Sequence, residues 1–391
     1  MNTKKILIVA NCSNRANTTG LIGQLLEQMQ DLRENNVALS LLDYNIAEKH
    51  KPEDYPVDYY FSLGYKGRIM SFCSVIRRPL RFFLTLCKFF KLSSKHSYDL
   101  IVFYQLLPET ELLVRIAKRF NAKVLLFPWG SDMLRVSEFQ KKSLSRAFSL
   151  ADYLTGAEGA NTMTSALYDY NVPIDKIRYQ KQYSGGIYAL MENVGSNKEG
   201  YTRIVGIPKS NYNIVCGYRS APDQRYELII EKCAAIKEYL PDGYQLIFLL
   251  TYGVEDKCLK YKKLKGLCDN YGLKACFLLD YLSDSQMAAL HRVTDLLITI
   301  LPTDTGNAFL AEALVSKNTI ITGKWLHYKH FEKYGVPYYL LDSPDELDEM
   351  LLKLFTNALP KIEIPDELIK SLTPPKDFRP SDYWEGIVSE L

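Results

Sequence analysis

Runs of consecutive apolar residues, each passing through a polar turn into apolar positions at helical spacing, recur along this chain. KKILIVANCSN leads into TGLIGQLLEQMQDL, where Leu21, Leu25, Met29 and Leu32 share one helical face. YDLIVFYQLLPETELLVRIAKRF and AKVLLFPWGSDMLRVSEFQKKSLSRAF repeat the passage. A strand that is apolar without alternation needs cover on both faces, which is what helices give a parallel sheet. A second series follows: YNIVCGY, YQLIFLLTYG, KACFLLDYLSDSQMAALHRV, DLLITILPTDTGNAFLAEALVSK and NTIITGKWL. Between the two, residues 184–211 (SGGIYALMENVGSNKEGYTRIVGIPKSN) are rich in Gly, Asn and Ser and read as a linker. The fold class is therefore α/β, with two Rossmann-like doubly wound domains. The first takes residues 1–190 and the second 205–375, and a terminal segment 376–391 is expected to return to the first.

Length agrees, since 391 residues exceed one ordinary core. With 47% hydrophobic and 24% charged residues the composition is that of a folded globular chain. A net charge of +3 leaves no global field for nucleic acid, so nucleic acid is not an expected partner. The eight cysteines form no C-x-x-C pair and sit mostly in apolar runs, as reduced residues of a cytosolic protein do. The apolar run after Lys5 is too short for a signal segment, and nothing approaches the roughly 20 apolar residues of a membrane span.

Chemistry is best sought where doubly wound sheets bind ligands, at the carboxyl ends of the strands. TDTGNAFLAEAL, residues 303–314, puts two acids at such an end: Asp304 in the turn after a strand and Glu312 in the helix that follows. Gly306 permits close backbone approach, and the free N–H groups of a helix start favour an anion. Two carboxylates would repel a phosphate but accept hydrogen bonds from sugar hydroxyls. Equally, Asp304 could simply cap the helix and Glu312 face solvent. The loop CGYRSAPDQRYELII, residues 216–230, opens onto the same edge with Gly217, Tyr218, Arg219 and Arg225, and an arginine fork fits diphosphate oxygens. In the first half, PWGSDMLR places Trp129, Gly130 and Asp132 at a strand end, where Asp132 either caps the next helix or takes part in chemistry.

Taken together, these features resemble the GT-B glycosyltransferases, most closely the large family-4-type group that uses nucleotide sugars. The family has two acids separated by seven residues, then a small-residue helix, a turn and an apolar strand. Asp304, Glu312 and ALVSKNTIITG stand in those places here. The resemblance implies that Glu312 holds the donor's ribose and Asp304 faces its sugar. Thr303, Thr305, Gly306, Asn307 and Ala308 would line the phosphates, beside Gly217 and Tyr218. Arg219 or Arg225 would neutralise the leaving diphosphate, and Asp132 would join them as a catalytic residue. The family's cleft histidine is Trp129 here, and its first-loop glycine pair is replaced by Asn11 to Gly20. No D-x-D turn is present, which fits a metal-independent mechanism without cofactor. His327 and His330 lack a third ligand and read as a surface pair rather than a metal site.

Residues 64–97 carry eight Lys or Arg and five Phe with no acidic residue. Pro79 is expected to split the stretch into two helices. Arg77, Arg78, Arg81, Phe82 and Phe83 would lie against an anionic membrane interface, although an ordinary packing helix with snorkelling cations has the same composition. The resulting expectation is a cytoplasmic enzyme, peripheral on the inner face of the membrane. It would move a sugar from a nucleotide-sugar donor to a lipid-linked or glycan acceptor in surface polysaccharide or glycan synthesis. A nucleotide-sugar epimerase of the same fold and a non-catalytic sugar-nucleotide-binding module are the alternatives.

Overall fold

The apolar runs become two parallel sheets in the computed structural model, which describes residues 3–12, 21–45, 53, 55–63, 74–157, 167, 169–180, 187, 190, 198–253, 256–304, 308–326 and 328–391. The first sheet holds β1 (Lys4–Ala10), β2 (Val37–Asp43), β3 (Tyr59–Ser62), β4 (Leu100–Tyr104), β5 (Lys123–Phe127), β6 (Tyr153–Ala157) and β7 (Ile177–Gln180). Their order is β3-β2-β1-β4-β5-β6-β7. The second holds β8 (Tyr212–Cys216), β9 (Tyr244–Leu249), β10 (Ala275–Leu278), β11 (Leu296–Thr299), β12 (Thr319–Gly323) and β13 (Tyr339–Leu341), in the order β10-β9-β8-β11-β12-β13. Central strands are the most apolar for a physical reason: every residue of β4 and β11 is buried, because helices cover both faces. Strand order reverses between β1 and β4 in one sheet and between β8 and β11 in the other. There Ala10 pairs with Tyr104, and Cys216 with Ile298. Those reversals are the two places where such sheets accept ligands.

The chain divides into two units. One comprises Met1–Glu158, Met163–Lys181 and Asp377–Leu391; the other comprises Gly159–Thr162 and Gln182–Lys376. The terminal helix Ser381–Ser389 packs in the first unit, where Trp384 and Ile387 are fully buried among β1, β2 and β4 residues. Tyr383 and Thr155 share a hydroxyl hydrogen bond of 2.7 Å, and Arg178 pairs with Glu390 at 2.6 Å.

Four features differ from the sequence reading. Residues 198–205 are a helix, Lys198–Val205, because Tyr201, Thr202 and Val205 bury one face. β3 is an edge strand that the apolar runs did not announce, because it is only partly covered. Pro79 does not split that stretch: Ser74–Lys95 is one continuous helix. Pro79 lies in its second turn, where its fixed φ is helical and the loss is confined to one backbone bond near the start. Cys87 and Cys258 are exposed, while Cys12, Cys216, Cys233 and Cys268 are core residues, and the described cysteines are all free.

Candidate functional site

At the β8/β11 reversal the loop after β8 turns sharply. Gly217 has φ +63, and its amide donates to the Ile298 carbonyl of β11. A Cβ there would lie 2.5 Å from Gln224 Oε1 and 2.9 Å from the Tyr226 ring, so only glycine fits. The next amide, of Tyr218, donates to the same Gln224 oxygen at 2.9 Å. Arg219 then projects with its guanidinium over the Tyr218 ring and its Nη2 2.5 Å from Asp223 Oδ2. Its Nε–H is buried and has no hydrogen-bond partner. Arg225 has φ +53 and stands immediately before the helix Tyr226–Ala235, half-buried, with no capping bond from its side chain.

From the neighbouring strand comes the helix Ala308–Val315. Ala308 is exposed at its start, and Glu312 is 4% exposed. Glu312 Oε2 lies 2.9 Å from Nε2 of the equally buried His291. An Nε2–H tautomer of His291 donates to this carboxylate. His291 is fixed in turn by the Phe309 ring, 4.5 Å away between centroids. Asn318 Nδ2 donates to the His291 carbonyl. Burial raises the phenols of Tyr252 and Tyr281 above their ordinary pKa, and the charge of Glu312 adds to both shifts. Those two rings follow β9 and β10, 6.2 Å apart and partly exposed.

Asp304 is half-buried, and its Oδ2 accepts a 2.7 Å hydrogen bond from the Tyr328 hydroxyl. Burial and then the Asp304 charge hold that phenol well above its ordinary pKa. Thr303 is half-buried beside it. Thr305, Gly306 and Asn307 lie outside the described residues, as does His327. Tyr218 stacks on Phe309 at 5.9 Å. Burial and the Asp304 charge raise its phenol as well. Gly217, Tyr218, Arg219, Asp304 and Glu312 therefore share one edge of one sheet.

Asp132 belongs to the other unit. Its Oδ1 accepts from the Trp129 amide at 2.8 Å and its Oδ2 from the Leu106 amide at 2.9 Å, so it ties the loops after β4 and β5 together. Burial pushes its carboxyl above the ordinary range, although those amides pull it down. Trp129 packs edge-on to Tyr104, 5.1 Å away.

Arg81, Phe82 and Phe83 separate on the long helix. Thr85, Phe89 and Leu92 form its buried face. Arg81, one turn earlier on that face, lies over the Tyr44 ring at 5.8 Å. Phe82 is 38% and Phe83 62% exposed. Nothing can be placed for the side chains of Arg77 and Arg78, which fall outside the described set. Sequence reasoning missed His291 and Tyr328, which reach their partners only through the fold. Among the described residues, no group of three His, Cys, Asp or Glu could hold a metal ion. No described helix is long and apolar enough to cross a membrane.

No family model matches this chain, and no curated protein matches it by sequence. Solved structures do match it in shape. HepE of Anabaena, in complex with UDP and glucose, is 13% identical with a TM-score of 0.63, covering 99% of this chain and 95% of its own. The lipopolysaccharide outer core galactosyltransferase WaaB, in its apo form, is 12% identical with a TM-score of 0.63 over 99% and 100%. Sucrose-phosphate synthase of Thermosynechococcus elongatus is 11% identical with a TM-score of 0.62 over 99% and 97%. At such identities the likeness is one of fold, and the chain has the GT-B fold.

Proposed function

We propose that the chain is a metal-independent, family-4-type glycosyltransferase that transfers a sugar from a nucleotide-sugar donor to a lipid-linked or glycan acceptor. The observation that carries this reading is Glu312, a buried carboxylate held by His291 at the sheet's ligand edge, on the same edge as two partly exposed tyrosines. Burying a carboxylate is costly unless it is paired, as Glu312 is by His291, and a carboxylate fixed at this edge suits the vicinal hydroxyls of a ribose. Tyr252 and Tyr281 offer a stacking face for the base beside it, worth about 1–3 kcal/mol. Arg219 supports the diphosphate assignment, because its unsatisfied Nε–H is a donor that an anion completes. In this reading Arg219 stabilises charge that grows on the leaving group. HepE was solved with UDP and UDP-glucose, which makes UDP the first probe.

Calorimetric titration of UDP, with GDP and ADP alongside, tests the assignment. Glu312→Gln should weaken the nucleotide that binds by about 1–3 kcal/mol, the range for losing a charged hydrogen-bond partner. Unchanged affinity would remove the ribose role. Asp304→Asn should leave nucleotide binding intact and lower donor turnover. Equal loss in both would make Asp304 a structural partner of Tyr328. The outward stripe Phe83, Cys87 and Phe90, with exposed Lys91 and Lys95 beside it, supports seating the enzyme on an anionic inner membrane face near a lipid-linked acceptor.

A further inference from the structure

The arginine assigned to the diphosphate already carries a counter-ion of its own. Arg219 Nη2 and Asp223 Oδ2 stand 2.5 Å apart in the loop after β8, with the two side chains 24% and 11% exposed. Both partners are held. The Tyr226 hydroxyl donates to the Arg219 carbonyl at 2.6 Å. Ser220, the next residue, donates to the Tyr252 carbonyl through its amide at 2.7 Å and its hydroxyl at 2.6 Å. On the acid side, Gln224 Nε2 donates to Asp223 Oδ1 at 3.2 Å, while Gln224 Oε1 accepts from the Tyr218 amide at 2.9 Å. Gln224 is 2% exposed, so the carboxylate is carried on a buried frame. Asp223 also sits in the single turn Pro222–Gln224, which Ala221 enters in extended conformation and Arg225 leaves with φ +53. That frame opposes any swing of the carboxylate away from the arginine.

A guanidinium paired in this way no longer offers a full positive charge. An arriving anion shares it with Asp223 and is repelled by that carboxylate in proportion to the charge the anion brings. The two nucleotides of a glycosyl transfer differ in this respect. In the donor the terminal phosphate is esterified by the sugar. When the sugar–oxygen bond breaks, the electron pair stays on the phosphate oxygen, and the freed phosphate then titrates with a pKa of about 6. At neutral pH the free diphosphate is therefore the more negative of the two. We infer that Asp223 is a specificity-determining residue of the donor site: its carboxylate, fixed against Arg219, disfavours the free nucleoside diphosphate relative to the sugar ester and so hastens release of the product. The inference rests on the nucleotide-sugar reading and adds to it a residue that acts through charge, without touching the ligand.

Calorimetric titration of the full chain with UDP and UDP-glucose, or with the GDP or ADP pair where those bind, compares the parent with Asp223→Asn. Asparagine keeps the shape and an acceptor oxygen and removes the charge. The affinity for the free diphosphate should rise relative to that for the sugar ester by about threefold or more, and the rise should shrink at high salt. Stopped-flow dissociation of the free diphosphate should slow by a similar factor. Where asparagine unsettles the turn, Asp223→Ser removes the same charge and should change the ratio in the same direction. An unaltered ratio would overturn the inference and leave the nucleotide reading standing. Equal weakening of both ligands would make the aspartate an orienting support for Arg219, and would overturn it too. A parent that binds none of these nucleotides would remove the nucleotide reading and the inference together.

Discussion

The two strand-order reversals are built alike in backbone and differently in charge. At β8/β11 the acids are held by dedicated partners, Glu312 by His291 and Asp304 by Tyr328, and the unpartnered buried atoms include Arg219 Nε and the hydroxyl of Thr299 at the end of β11. At β1/β4 they include Arg81 Nε and Glu109 Oε1. The first reversal thus leaves a buried carboxylate oxygen unmet, whereas the second keeps its carboxylates paired. Two copies of one topology thus differ in how their buried carboxylates are met.

The largest effect expected from testing this contrast concerns stability rather than ligand. Trp384→Ala empties a fully buried site in the first unit and should cost about 3–5 kcal/mol. Hydrogen exchange should show the loss in β1, β2 and β4 while β8 and β11 keep their protection. Equal loss in both sheets would show that the units unfold together and that the comparison between them is not one of separate parts.

Next in size, Arg219→Ala should lower donor turnover by about 3–4 kcal/mol of transition-state stabilisation, more than it weakens donor binding. Arg219→Lys should rescue little, since lysine lacks the fork. Equal effects on binding and turnover would make Arg219 a ground-state anchor. His291→Ala should weaken nucleotide binding by about 1–3 kcal/mol, because Glu312 loses its partner. A loss of thermal stability with unaltered nucleotide affinity would confine the pair to the core.

Smaller still, reversing Lys91 and Lys95 to Glu should reduce co-sedimentation with anionic vesicles by about 1 kcal/mol for each cation removed. The loss should shrink at high salt. Sedimentation unchanged by the substitutions would make the helix a packing element alone.

The smallest effect is on pH dependence. The folded-state pKa of Glu109 is raised, so its contribution to stability is present below the ordinary glutamate value and is lost as pH rises through the raised one. Glu109→Gln removes that loss. The variant should melt above the parent at neutral pH, and the difference should close under acid. Parallel melting curves across that range would contradict the burial cost assigned to this carboxylate.

The sheets were legible in the sequence because burial on both faces writes itself as unbroken apolar runs, as in LIVFY of β4 and DLLITI around β11. The edge bearing Asp304, Glu312 and Arg219 was legible too, since a turn between such a strand and a helix must lie at one end of the sheet. The partners were not. His291 stands 21 residues before Glu312 on an apolar helix, and Tyr328 stands 24 after Asp304; neither spacing is periodic in anything. Arg81 was read as a membrane-facing cation but lies over the Tyr44 ring, because composition cannot tell which face of a helix turns inward. Only Thr85, Phe89 and Leu92, buried below it, make that distinction. The helix Lys198–Val205 was hidden by the glycine and asparagine that flank it.

The return of Asp377–Leu391 to the first unit also sets an order of events in time. A polypeptide made from its N-terminus has β8 to β13 available as a continuous stretch before Trp384 has been joined to the chain. The second sheet can close while the first still exposes the apolar surface that Trp384 and Ile387 will cover. The first seven strands to be synthesised therefore belong to the unit that is finished last.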